Sequence, residues 1–208
     1  DPASAAGAGT SAEAPAPASG RASIAVLPFV NMSEDEANEH FGDGLSEELL
    51  NLLAKVPELK VAARTSSFHF KGKDSTIADI AKALQVDTVL EGSVRRSGDT
   101  IRVVAQLIAA SDGTHLWSEK YDRQMSDIFV VQDEIAGHIV KALLPKLGAG
   151  DKPVFASGGG GITPDLYERF LIARRGFYDD TLESAKLAHQ EFLAIAEAAP
   201  DHAPVHAW

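Results

Sequence analysis

From Thr88 to Arg123 the chain reads TVLEGSVRRSGDTIRVVAQLIAASDGTHLWSEKYDR, and a run of this kind has few ways to fold. Two breaks interrupt it, Ser97-Gly98-Asp99 and Ser111-Asp112-Gly113, where Gly and Asp permit the backbone angles of short hairpins. Three consecutive antiparallel strands follow from that spacing. In the middle run, Thr100 to Ile108, the residues Ile101, Val103, Ala105 and Leu107 fall on one face. Arg102, Val104, Gln106 and Ile108 fall on the other, so the second face is only partly wet. Three strands cannot bury such a face alone, and helices from elsewhere must cover it.

The flanking sequence supplies them. Ser23 to Phe29, SIAVLPF, is a nearly unbroken apolar run that reads as a strand covered on both faces and ended at Pro28. A helix is predicted from Leu45 to Val56, with Asp43 or Ser46 as its cap and Leu45, Leu49, Leu52, Leu53 and Val56 as its apolar stripe. Leu59 to Ala63 reads as a second strand, left by a polar crest at Arg64 to Phe68. Ser75 or Thr76 then caps a helix over Ile77 to Leu84, whose inward set is Ile77, Ile80, Ala81 and Leu84. Beyond the meander, Asp127 to Leu144 carries Ile128, Val131, Ile135, Ile139 and Leu143 at helical steps, with Ser126 as cap and Pro145 as stop. The order is β-α-β-α-β-β-β-α, an α/β (α+β) fold built on a mixed five-stranded sheet with helices packed on it. The first crossover makes strands one and two parallel.

The ends differ in composition. Residues 1–22 are an Ala/Pro-rich tether, residues 23–147 the α/β domain, and residues 148–161 a Gly-rich linker. Residues 162–208 read as a helical hairpin, Pro164 to Tyr178 and Leu182 to Ala198 around Asp179-Asp180-Thr181, with a third start near Val205. That is the size of one helical repeat. A lone repeat cannot cover its own apolar face, so the natural protein is expected to continue past Trp208; the start at Asp1, without Met, likewise suggests a piece of a longer chain.

Charge and composition exclude several functions. A net charge of -11 argues against broad nucleic-acid binding, which needs clustered Lys and Arg. No window approaches about 18 consecutive apolar residues, so no transmembrane helix is predicted. Cysteine is absent, which excludes disulfides, thiolate zinc sites and cysteine nucleophiles.

Few residue groups suggest chemistry. Arg64, Thr65, Ser66, Ser67, Lys71 and Lys73 gather hydroxyls and positive charge after the second strand, where an open α/β sheet places its ligand crevice. Arg64, Ser66, Ser67, Lys71 and Lys73 are therefore the candidate ligand or partner-binding residues, against the plainer reading of a solvated loop. Phe41-Gly42-Asp43-Gly44 could ring an anion with N–H groups, but Asp43 would repel phosphate, and a turn with a cap is favoured. His115, Trp117, Glu119 and Tyr121 share one face of the last meander strand, as a recognition strip or, more simply, as packing under a helix. His40, His69, His115 and His138 lack zinc-ligand spacing, and Glu34-Asp35-Glu36 lacks a calcium-loop pattern. There is no G-x-S-x-G elbow around Ser93, and the adjacent Glu47 and Glu48 are expected to point apart. No catalytic, cofactor or metal-binding residue is assigned, and no enzyme activity is expected.

The stretch SIAVLPFVNMSEDEANEHFGDGLSEELLNLLAKVPELKVAARTSSFHFKGK, with LEGSVRR, RVVAQLI, DGTHLWSEKYDR and IFVVQDEIA after it, closely resembles the TolB-like domain of bacterial signalling proteins. The likeness covers Ser23 to about Leu147. Leu166 to Trp208 resembles, more weakly, the first tetratricopeptide repeat of an array. The resemblance implies a place behind a winged-helix DNA-binding domain, often with a membrane helix between, or behind an adenylate cyclase domain. It supplies no active site. The function expected is a non-catalytic sensory or protein-interaction module of a signal-transduction or transcriptional regulatory protein. The alternatives are a domain binding a small anionic metabolite and an accessory region of a nucleotide cyclase polypeptide. The expected partner is a protein, met through the repeat array or the sheet edge, with no direct nucleic-acid binding and membrane attachment only through an upstream segment. The expected location is the periplasmic face of the inner membrane, with the cytoplasm as the alternative.

Overall fold

The computed structural model of the chain describes residues 21–33, 38–147, 162–178 and 181–201. The expectations for the tether before Arg21, Glu34-Asp35-Glu36, the glycine-rich joint at 148–161, Asp179-Asp180 and the start near Val205 lie outside those residues.

The meander forms as its turns dictate. β4 (Thr88–Ser97), β5 (Thr100–Ala109) and β6 (His115–Gln124) pair antiparallel in sequence. Gly98 and Gly113 take the positive φ values, 56° and 72°, that the two hairpins demand. Ile101, Val103, Ala105 and Leu107 are all fully buried.

β1 (Ala22–Val26) lies parallel to β4 on one side and to β3 (Leu59–Val61) on the other, as the crossover rule required. The described sheet has six strands rather than five. The additional one is β2 (Val30–Asn31), two residues that resume pairing along β4 after a jog. Pro28 has no N–H to give, and the Phe29 N–H turns away to the Ser46 hydroxyl at 2.8 Å. The Leu27 and Met32 N–H groups on either side still reach the Leu90 and Val94 carbonyls. Pro28 thus interrupts the strand and does not end it.

α1 (Glu39–Ala54) and α4 (Ile128–Leu147) cover the Ile101 face. α4 follows a short 3-10 turn, Met125–Asp127, and runs past Pro145 rather than stopping there. A proline removes one helical hydrogen bond but leaves the rest of the last turn intact. The stripe Ile128, Val131, Ile135, Ile139 and Leu143 is buried throughout.

The polar crest after β3 is itself helical, α2 (Arg64–Phe68), too short to carry a period in the sequence. α3 (Ile77–Leu84) is capped by Thr76, whose hydroxyl accepts from the Asp79 N–H. It closes a smaller core of Ala25, Ala62, Ala81, Val86 and Val89 on the opposite face. That second face is covered only toward β1, and Val104 and Gln106 of β5 stay half-exposed.

α5 (Pro164–Tyr178) and α6 (Leu182–Ala198) form the expected hairpin, with Thr181 accepting from the Ser184 N–H as the α6 cap. Tyr167, Phe170, Leu171, Phe192 and Ile195 join the same apolar core as the sheet. The hairpin therefore does not leave its inner face bare; α1 and α4 cover much of it.

Candidate functional site

Two places gather the residues singled out above, and both are built around the first half of α1. Phe41-Gly42-Asp43-Gly44 is neither a turn nor an anion loop, and neither Asp43 nor Ser46 is the cap. α1 begins six residues before the predicted Leu45, so these residues lie inside the helix. The small size of Gly42 and Gly44 serves packing. A Cβ on Gly42 would stand 2.6 Å from the Phe29 carbonyl oxygen, and one on Gly44 2.5 Å from Leu171 Cδ2 of α5. Gly92 on β4 makes the third such approach, where a Cβ would meet the Val104 carbonyl oxygen at 2.3 Å and the Phe29 ring at 2.6 Å. Phe29 is thus held between one helix and one strand.

The first place is a cleft of about 1250 Å³ on the second sheet face. Its floor is Glu91 and Ser93 of β4 with Val104 and Gln106 of β5; its walls are the Leu27–Val30 jog, Phe70 and the α3 residues Ile77 and Ile80. Lys71 and Lys73 line its rim. Lys71 is already engaged: its Nζ lies 2.7 Å from both Asp43 carboxylate oxygens and 2.7 Å from Glu39 Oε1. Lys73 Nζ meets His69 Nε2 at 2.6 Å.

That engagement has a signature in acid. The hydrogen bond and charge of Lys71 hold the Glu39 carboxyl below its usual value of 4.5. A depressed folded-state pKa means stability that is complete above about pH 4.5 and is lost as the pH falls through the lower folded value. Glu39 is 41% exposed, so the contribution is no more than about 1 kcal/mol. Urea titrations of wild type and Lys71→Met should diverge above pH 4.5 and converge toward pH 3; a constant gap would show that Lys71 contributes by packing alone.

The second place holds Arg64, away from the cleft. Arg64 Nε donates to Glu47 Oε1 at 2.6 Å, and the guanidinium lies between the Phe68 ring, 4.2 Å away, and the Tyr178 ring of α5, 4.0 Å away. Ser67 is fully buried and its hydroxyl has no hydrogen-bond partner among the described residues, while Ser66 is exposed. The five candidate residues therefore divide: Lys71 and Lys73 at the cleft, Arg64 at the hairpin, Ser66 in solvent and Ser67 in the interior.

Sequence reasoning missed the centre of this second cluster. Arg174 of α5 has a side chain only 4% exposed, with Nε 2.9 Å from Glu47 Oε2 and Nη1 2.7 Å from Glu48 Oε1. Nη2 donates to the Gly44 carbonyl at 3.3 Å. Glu47 and Glu48 do not point apart in effect; a long guanidinium arriving from another helix spans both. Burial pulls the Arg174 pKa down, but the two carboxylates outweigh it and raise it. Alongside, Gln132 Nε2 donates to the buried Tyr167 hydroxyl at 2.7 Å, and burial keeps that phenol protonated. Arg96 Nη1 reaches Glu168 Oε1 at 2.6 Å. The only hint in the sequence was Arg174-Arg175 within an amphipathic helix.

The strip on β6 is a packing surface, and it is shorter than expected. A bulge at Leu116 sets His115 opposite Ile108 and Trp117 opposite Leu107, which moves His115 to the other face. Trp117 lies against His138 of α4 with ring centroids 5.6 Å apart, and the Tyr121 hydroxyl is 2.9 Å from His138 Nδ1. Among the described residues no cluster of His, Asp and Glu could hold a metal ion.

Comparison with known proteins places this geometry in context. Residues 20–138 match the family described as HilA/YgeH-like transcriptional regulator, second domain. The TolB-like likeness, read from residues 23–147, covers nearly the same span. A Rhizobium meliloti (strain 1021) protein named "Putative adenylate cyclase 3" is 43% identical over 185 residues, which is 89% of this chain and 31% of that protein. The chain thus spans about a third of the curated relative it matches. Among solved structures, TolB from Acinetobacter baumannii is 19% identical with a TM-score of 0.45, covering 60% of this chain and 29% of that one. Lipoprotein GNA1162 from Neisseria meningitidis is 20% identical with a TM-score of 0.43, covering 59% of this chain and 99% of that one.

Proposed function

This chain belongs to the family of second domains of HilA/YgeH-like transcriptional regulators, and from that premise we propose a regulatory module that acts by binding rather than by turnover. It serves a bacterial signal-transduction or transcriptional regulatory protein as a sensory or protein-interaction element. The observation that carries this reading is the α5–α6 hairpin: seated on α1 through buried Arg174, it leaves Leu182 74% and Leu193 55% exposed. The two leucines are about three helical turns apart, on the same side of α6. A fixed base whose outer side sets two exposed leucines around the polar Lys186 and His189 suits a surface that meets protein, either a partner or further repeats of a tetratricopeptide type. The proposed location is the periplasmic face of the inner membrane, reached through an upstream segment. No described helix is long and apolar enough to cross a membrane.

The test uses the full-length polypeptide with Leu182→Glu and Leu193→Glu together. Its regulated output should fall about tenfold, the effect of losing one interface anchor. The thermal midpoint of the 208-residue chain should stay within a few degrees of wild type. Unchanged output at unchanged stability would overturn the reading.

Two further readings have specific support. The 43% identity to a named cyclase favours an accessory region of a nucleotide cyclase polypeptide, in which this domain would still bind rather than catalyse. The cleft on the second sheet face favours a domain regulated by a small molecule.

A further inference from the structure

The small-molecule reading began from an anion held by Arg64, Ser66, Ser67, Lys71 and Lys73; only the two lysines line the cleft, and the charges around it point to a different ligand. On the rim, Lys71 is shared between Asp43 and Glu39, and Arg175 Nη2 lies 3.7 Å from Glu39 Oε2. At Lys71 and Arg175 an arriving anion would have to compete with carboxylates already in place, which leaves Lys73 alone to attract it. On the floor the balance is reversed. Glu91 is half-buried, and its carboxylate makes no hydrogen bond or ion pair with any described residue. Directly across the β4–β5 ladder stands Gln106, a neutral amide that adds an acceptor beside the carboxylate without neutralising it. Val104 on the floor and Leu27, Phe70 and Ile77 on the walls give the same cleft an apolar part. A carboxylate without a partner in a partly apolar cleft is best complemented by a donor that carries positive charge.

We infer that the cleft takes a small organic cation, an ammonium or guanidinium on an apolar body, with the charge at Glu91 and Gln106 and the body against Phe70 and Ile77. This rests on the small-molecule reading and names the class of molecule. Lys73 sets a limit on the ligand: its charge at the rim pairs with no carboxylate among the described residues, so a second cationic group on the outer end of the ligand would be repelled.

The experiment is amide-shift titration of the complete 208-residue chain with phenethylamine and, separately, with its anionic counterpart hydrocinnamate. Phenethylamine should saturate shifts at Val104, Gln106 and Ile77, and Glu91→Gln should weaken it about tenfold or more, the loss of one charge-assisted hydrogen bond. Glu183→Gln, on exposed α6, should leave the titration unchanged. Saturation by hydrocinnamate with no effect of Glu91→Gln would overturn the cation inference and leave the small-molecule reading standing. Failure of both probes to shift cleft amides up to millimolar concentration would remove both. Phenethylamine shifts equal in Glu91→Gln would also overturn the assignment of Glu91.

Discussion

Arg174→Ala is expected to remove about 3–5 kcal/mol of folding stability, the range for deleting one partner of a buried ion pair. The side chain is 4% exposed, and its loss strands Glu48, 18% exposed, which pairs with no other cation among the described residues. Glu47, 9% exposed, keeps Arg64. The Gly44 carbonyl loses a donor as well. Arg169, on the same helix, provides the contrast. It pairs with Glu191 at 2.8 Å, but both side chains are nearly half-exposed, and Arg169→Ala should change stability by less than about 1 kcal/mol. Urea midpoints measured side by side decide the matter. Equal shifts for the two variants would mean that the hairpin is not held by its buried guanidinium.

The second large effect is expected at Phe170. It is fully buried, with ring centroids 6.5 Å from Tyr167 and 5.8 Å from Phe192, and Arg174 lies over it at 5.2 Å. Phe170→Ala should destabilise by about 3–5 kcal/mol, combining lost transfer energy with the cavity left behind. The form of the transition is the sharper test. Because Phe170 and the β5 residues Ile101 and Leu107 belong to one apolar core, helical and tryptophan signals should melt together. Trp117 is on β6, far along the chain from the substitution, and Trp208→Phe introduced into both proteins makes it the sole tryptophan reporter. A variant that loses helix at low urea while Trp117 fluorescence stays native would show that hairpin and sheet unfold separately.

Most of the sheet was legible because its signals are local. Alternation marked Ile101, Val103, Ala105 and Leu107, and Gly98 and Gly113 marked the turns, so neither needed knowledge of distant residues. α3, α5 and α6 were predicted to the residue from equally local signals, a cap and an apolar period for α3 and helical patterns parted by Asp179-Asp180-Thr181 for α5 and α6. What escaped was set by contacts remote in sequence. β2 is two residues long and exists because β4 is there to pair with. The early start of α1 runs through two glycines that local propensity disfavours, and tertiary packing against Phe29 and Leu171 decides it. The candidate residues divided for the same reason. Arg64 and Lys71 are close in sequence, but one is drawn to Glu47 and Tyr178 and the other to Glu39 and Asp43, choices made by side chains from α1 and α5.

The seating of α5 on α1 gives the molecule leverage. α6 is 17 residues long, or about 25 Å from end to end, and it inherits its direction from a helix whose other flank grips Phe29 at the mouth of the cleft. A tilt of α1 by roughly 5° would sweep the far tip of such an arm by about 2 Å, a displacement comparable to the helix shifts that switch subunit contacts elsewhere. A molecule that pried the jog at Phe29 outward would therefore be felt some distance away, as a reorientation of whatever rides on the hairpin.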